Sequence, residues 1–202
     1  MKTRLSLYRS ARARLHGVLL LGAMACAVSL GSCADPVHDN LVNSLGGEIG
    51  GVPQGEYHRA GQPCGACHGE LGPAKTIFTM SGTIFYGPTK AIGVDNVAVT
   101  MVDSLNTSFT AYTNCVGNFF VTGDQWTPSF PVLVKIQKDQ SGQTMQSHIG
   151  RESSCSNCHK DPPYYDSQGH VRLVTQQIED QNQYTPPQCP VNPVQTGAGG
   201  AR

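Results

Sequence analysis

The chain has 202 residues, 39% of them hydrophobic and only 14% charged, with 23 glycines and 13 prolines, which bounds it to one modest domain with generous loops. The formal net charge of zero hides an asymmetry: five of the 14 basic residues (Lys2, Arg4, Arg9, Arg12 and Arg14) fall at the extreme N-terminus, and no acidic residue precedes Asp35. Without that segment nine basic side chains face 14 acidic ones, a surface that gives no reason to expect a nucleic-acid partner.

Residues 1–32 have the three parts of a secretory signal: a basic start, an apolar run over 17–30 and small residues near the end. The run is too short, and too interrupted by glycine and serine, for a permanent membrane span. It ends in Leu30-Gly31-Ser32-Cys33, which resembles the bacterial lipobox, whose cysteine is acylated and becomes the new N-terminus. Acyl chains on Cys33 would anchor the protein without spanning the bilayer. The expected place is the periplasmic face or outer membrane of a Gram-negative bacterium; Ala34 after the cysteine, where aspartate is absent, usually permits passage outward. The alternative is cleavage after Ala25-Cys26-Ala27, which would release a soluble periplasmic protein.

Residues 33–57, with Gly46-Gly47, Gly50-Gly51 and Pro53, read as a flexible linker. It leads to Cys64-Gly65-Ala66-Cys67-His68, a pattern that recurs as Cys155-Ser156-Asn157-Cys158-His159. Two cysteines three apart can reach two vinyl groups on one edge of a haem, and the histidine that follows can ligate the iron. A zinc ribbon places its cysteine pairs about 15–20 residues apart, whereas 87 residues separate Cys67 from Cys155. A redox dithiol would sit in a βαβ pattern, which is not visible around either pair. The cofactors expected are therefore two covalently bound c-type haems, held by Cys64, Cys67, Cys155 and Cys158, with His68 and His159 as proximal ligands.

The first haem-binding segment is read as 58–75 and the second as 139–184. His58 lies six residues before Cys64 and His148 seven before Cys155. Paired offsets of this kind make them the candidates for the sixth iron ligand, a position that must be filled in a pure electron carrier. Spacing leaves open whether each serves its own haem or the other. His170 is the next candidate, followed by His38 and Met145.

Between these segments, 76–138 changes character to short alternating runs rich in β-branched and aromatic residues. Strands are expected at 81–86, 97–102, 109–112, 119–122 and 132–136, separated by breakers such as Gly87-Pro88, Asp95-Asn96, Gly117-Asn118 and Thr127-Pro128. Val97, Val99 and Met101 would share one face of the second strand. Met80 and Met101 read as core rather than iron ligands. The fold class expected is mainly β, a small antiparallel sandwich flanked by two haem-binding segments of loop and short helix.

The run Gly82-Thr83-Ile84-Phe85, then Val97-Ala98-Val99, then Gly117-Asn118-Phe119-Phe120, resembles the carboxypeptidase-regulatory or transthyretin-like β-sandwich. With its flanking haem peptides, the stretch over roughly residues 60–160 is similar to bacterial dihaem cytochrome c lipoproteins in which one such sandwich sits between two haem sites. The resemblance implies an electron carrier or scaffold, with no catalytic residues inside the sandwich; peptidase metal ligands are not visible.

Beyond His159, Asp161-Pro162-Pro163-Tyr164-Tyr165 reads as a rigid loop, 171–181 as a weak helical stripe, and 185–202 as a disordered tail. Of eight cysteines, Cys26 leaves with the leader, Cys33 takes lipid and four hold haem. Cys115 and Cys189 remain, and in an oxidising compartment they are expected to form a disulfide; the alternative is a pair of idle thiols.

The function expected is a membrane-anchored dihaem cytochrome that relays electrons and is not an enzyme, with redox proteins such as other multihaem cytochromes as partners. The competing readings are a small haem peroxidase, and a β-sandwich interaction module with structural or sensory haems. If the ends of the sandwich lie close together the haem peptides would meet; otherwise the domain would separate them.

Overall fold

A computed structural model describes residues 35–47, 54–160 and 167–190. The leader with Cys26, the lipobox cysteine Cys33, the loop 161–166 and the tail from 191 lie outside the described residues. The chain divides into units of residues 1–40 and 41–202.

The expected linker is not structureless throughout, because helix α1 (Pro36–Ser44) occupies part of it. Asp35 Oδ1 accepts the N–H groups of Val37 at 3.0 Å and His38 at 3.1 Å, and Pro36 takes the first helical position. Both devices favour a helix start, since they deal with N–H groups that have no partner within the helix.

Among the described residues, the larger unit is built on six antiparallel strands: β1 (Phe78–Thr83), β2 (Ala98–Val102), β3 (Ser108–Tyr112), β4 (Asn118–Thr122), β5 (Leu133–Lys138) and β6 (Ser141–Thr144). β1 and β4 form a two-stranded ribbon; the other four form a sheet in the order β3-β2-β5-β6. Alternation decides which side faces inward. Val97, Val99 and Met101 are fully buried, while Thr100 between them turns outward and its hydroxyl meets Thr110 at 3.1 Å. The ribbon contributes Met80, Phe119 and Val121 to the same core, where they join Ile84, Val134, Ile136 and Trp126. Each such side chain contributes about 1.5–3 kcal/mol on burial. Met80 and Met101 are core residues, each fully buried.

Three departures from the sequence expectation matter. β1 begins at Phe78 and leaves its ladder after Thr83, so residues 84–86 bond elsewhere: Ile84 N–H to Gly117 O, Phe85 N–H to Val171 O and Tyr86 N–H to Ile92 O. β6 lies inside the segment assigned to the second haem, because Asp139, at φ 51°, and Gln140 make a two-residue hairpin that returns the chain along β5. The stripe over 171–181 is helical only in α3 (Gln176–Gln181). Its first part is extended: Leu173 and Val174 donate to Phe85 O and Tyr86 O and are buried against the core. The β-branched Val171 and Val174 suit that state better than a helix.

Two features fasten the C-terminal part. Glu179, only 2% exposed, accepts the Thr89 N–H at 2.9 Å, the Thr89 hydroxyl at 2.7 Å and the Lys90 N–H at 3.0 Å. Burial alone would raise its pKa, but these donors outweigh it and hold the carboxyl below its usual value. Only glycine fits opposite, since a Cβ on Gly87 would lie 2.3 Å from the Glu179 carboxyl carbon. A disulfide joins Cys115, in the β3–β4 connection, to Cys189, while residues 185–190 have neither helix nor strand and lie exposed.

Two histidine-anchored cysteine turns

Both five-residue motifs fold into a helical turn. The first is α2 (Cys64–His68). The second is a 3₁₀ turn over Cys155–Asn157, which Cys158 and His159 prolong by donating their N–H groups to Cys155 O at 3.2 and 2.9 Å. Helical spacing sets residues three and four apart on one face, so each turn offers two thiols and an imidazole to the same side.

The two histidines that close the motifs are held alike. His68 Nδ1 lies 2.8 Å from Thr76 O, and His159 Nδ1 lies 3.0 Å from Gly169 O. A carbonyl can only accept, so Nδ1 carries the hydrogen and Nε2 keeps its lone pair for a metal. Neither acceptor is placed by accident. Ala74 N–H bonds to Cys67 O, and the loop beyond α2 passes so closely that a Cβ on Gly72 would lie 2.1 Å from that carbonyl. In the second loop, buried Ser167 takes Lys160 N–H and Gly169 N–H on its hydroxyl and donates to Lys160 O, closing the turn that brings Gly169 O to His159.

Each turn opens onto a cavity. The first, about 820 Å³, is lined by Cys64, Cys67, His68, His58, Phe78 and Phe120 among others. The second, about 970 Å³, includes Cys155, Cys158, His159, His148, His170 and Met145 in its wall. Both volumes fall in the range of roughly 300–1,000 Å³ usual for cofactor sites. Each upstream histidine therefore lies with its own cysteine turn, a point spacing left open. Thr83, Asn118 and Phe119 join the ribbon to the first cavity's wall: Asn118 takes the Thr83 hydroxyl on Oδ1 and donates Nδ2 to His58 O at 2.9 Å and Glu56 O at 3.3 Å. Asn114 Nδ2 adds a bond to Glu56 O at 2.7 Å.

His58 and His68 have ring centres 6.0 Å apart. Two metal–imidazole bonds of about 2 Å, plus about 1 Å from each nitrogen to its ring centre, sum to about 6 Å, so the pair has the separation a single iron between them requires. His68 also stacks on Phe78 at 4.1 Å, and Phe78 on Phe120 at 4.9 Å. In the second cavity His148 follows β6 and is steadied by the next residue, since Ile149 and Val132 exchange both N–H···O bonds. His170 stacks on Phe85 at 4.3 Å. His38 belongs to the unit of residues 1–40.

Cys64, Cys67 and Cys155 are partly sheltered, whereas Cys158 is exposed. Burial raises the Cys64 pKa, which a hydrogen bond with Ser81 partly offsets. Burial pushes Cys155 up to about 12, with nearby Cys64 adding to the rise. Among the described residues, no group of three or more His, Cys, Asp or Glu side chains is placed to hold a bare metal ion. The residues present suit a group that supplies its own metal and takes the thiols covalently. Ser81, Phe78 and Asn118 were not picked out by sequence reasoning as site residues; Gly117-Asn118 was visible as a strand breaker and as part of the sandwich-like pattern.

Set against models of protein families, curated proteins and solved structures, the chain matches none.

Proposed function

We propose that this chain is an exported dihaem c-type cytochrome that carries single electrons, related to the cytochrome lipoproteins with a carboxypeptidase-regulatory-like sandwich. The observation that carries the reading is the repeated arrangement: a helical Cys-x-x-Cys-His turn, its imidazole fixed through Nδ1 to a main-chain carbonyl, and a second histidine across a cofactor-sized cavity. Cys64 and Cys67 would hold one haem with His68 and His58 as axial ligands. Cys155 and Cys158 would hold the other, with His159 and His148. His148 is preferred to His170 because His170 directly follows the carbonyl that anchors the proximal ring and is stacked on Phe85. Each iron would supply a one-electron ferric/ferrous couple; the chain would fix the imidazoles, wall off water with Phe78, Phe119 and Phe120, and so set the potential. Cys33 would carry the lipid that keeps the protein on the periplasmic face or the outer membrane, within reach of other redox proteins such as multihaem cytochromes.

The test is expression of the full chain in a host with periplasmic haem-maturation machinery. The expected product gains the mass of two porphyrins, gives two haems per chain by pyridine haemochrome, and shows low-spin bands unaltered by cyanide. A colourless protein without the mass gain defeats the proposal, and a high-spin, peroxide-reactive haem turns it toward a peroxidase.

A further inference from the structure

The two cysteine turns, 87 residues apart in the chain, converge on one step of β1. Ser81 donates its N–H to Ser153 O at 2.8 Å and pairs with Ser154 in parallel register, so the residues entering the second turn extend the free edge of the ribbon. Helix α2 lies against the same residues: a Cβ on Gly65 would stand 3.2 Å from Ser154 Cβ and 3.3 Å from Ser153 Oγ. The Cys64 thiol meets the Ser81 side chain. A Cβ on Gly82 would come within 2.9 Å of Cys155 Cβ and 3.0 Å of its sulfur.

Neighbouring residues of a strand point to opposite faces, and directly paired residues share one. Ser81 pairs with Phe120 and Gly82 with Phe119. Phe120 lines the first cavity, whereas Phe119 is buried in the core and lines the second, reaching the wall of both. A single two-stranded layer thus parts the two cavities.

We infer that the two cysteine turns, which meet at Ser81 and Gly82 of the β1–β4 ribbon, would hold their haems as one electronically coupled pair. Gly82 is a positioning residue: its missing side chain is the space that Cys155 fills. Held in this way, the pair would let an electron move between the two sites within one chain. The inference rests on the haem reading above but goes further than haem content, which would be the same for two independent haems.

Circular dichroism in the Soret region tests it on the loaded full chain, with the haem count measured in the same samples. The wild-type spectrum is compared with the sum of two one-haem variants, Cys64→Ala/Cys67→Ala and Cys155→Ala/Cys158→Ala. The expected result is a bisignate band in the wild type that is missing from the sum, and its loss in Gly82→Ala while two haems per chain remain. Electron paramagnetic resonance of half-reduced wild type gives a reading without variants: reduction of one haem is expected to change the relaxation of the other. Two haems per chain with a wild-type spectrum equal to the sum, and no such change, overturns the coupled pair and leaves the carrier reading standing. Absence of haem overturns both.

Discussion

At the scale of single residues, the arrangement turns on which nitrogen of each imidazole is spent. Thr76 O and Gly169 O fix the hydrogen on Nδ1 of His68 and His159, and so each ring presents Nε2 in a defined direction. The proposed sixth ligands are held less directly, through the main chain beside them: His58 through Asn118 and Asn114, His148 through the Val132–Ile149 pair. Removing a sixth ligand leaves attachment intact but vacates one iron position. In both His58→Ala and His148→Ala we expect two haems per chain, with one of the two turned high-spin and able to bind cyanide; His170→Ala leaves both low-spin. Visible absorption of the ferric protein with and without cyanide checks all three, and a spin change in His170→Ala instead of His148→Ala would exchange their roles. His68 and His159 could be singled out in the sequence because each directly follows a cysteine pair. The carbonyl anchors could not, since a main-chain oxygen has no sequence signature and depends on loops closed by Gly72 and Ser167.

At the scale of elements, alternation made the central strands readable. Val97, Val99 and Met101 are buried on one face as expected, because a half-buried strand advertises itself by its period. β6 escaped notice because Ser-Gly-Gln-Thr carries no apolar alternation; its place comes from a hairpin turn and from pairing with β5. The extended run 171–174 escaped for a different reason: its partner is Phe85 and Tyr86, far away in the chain. Helix α3 follows that run and has too few residues to hold itself. Its anchorage is Glu179, whose carboxylate takes three hydrogen bonds from Thr89 and Lys90. Glu179→Ala removes three hydrogen bonds to a buried carboxylate and is expected to lower unfolding free energy by about 1–3 kcal/mol at neutral pH. The sign with pH follows from the depressed carboxyl. A group held below its usual value of 4.5 in the folded state stabilises above that value and loses its contribution as pH falls through the folded one. The gap between wild type and variant in urea unfolding should therefore narrow as the solution is acidified below about pH 4. A gap that is absent at neutral pH, or that widens in acid, would show that α3 is held by something else.

At the scale of the whole molecule, the β3–β4 connection is the junction at which the chain's distant parts are tied together. Asn114 bonds to the loop that bears His58, Cys115 next to it makes the disulfide to Cys189, and Asn118 three residues on joins that loop to β1. A second tie runs nearby: the Tyr184 hydroxyl donates to Asp95 at 2.5 Å, and Lys138 at the end of β5 pairs with the same carboxylate at 2.9 Å. The disulfide spans 74 positions, and the loop it closes contains β4, β5, β6 and the whole second cysteine turn. Closing a loop of that length removes chain entropy from the unfolded state worth about 4 kcal/mol in the simplest treatment, although measured gains are often smaller. Because residues 185–190 are exposed and lack strand or helix, their packing adds little of its own, and the covalent bond carries most of the closure. The Cys115→Ala/Cys189→Ala variant should consequently lose about 2–4 kcal/mol, read as a lower urea midpoint with the spectrum of the folded protein unchanged. Mild reductant applied to the loaded wild type should reproduce that shift without releasing haem, since thioethers resist thiol exchange. A midpoint that moves in neither experiment would mean that Tyr184 and the core around Leu173 and Val174 already hold the C-terminal segment, and that the disulfide is a consequence of the fold rather than a support for it.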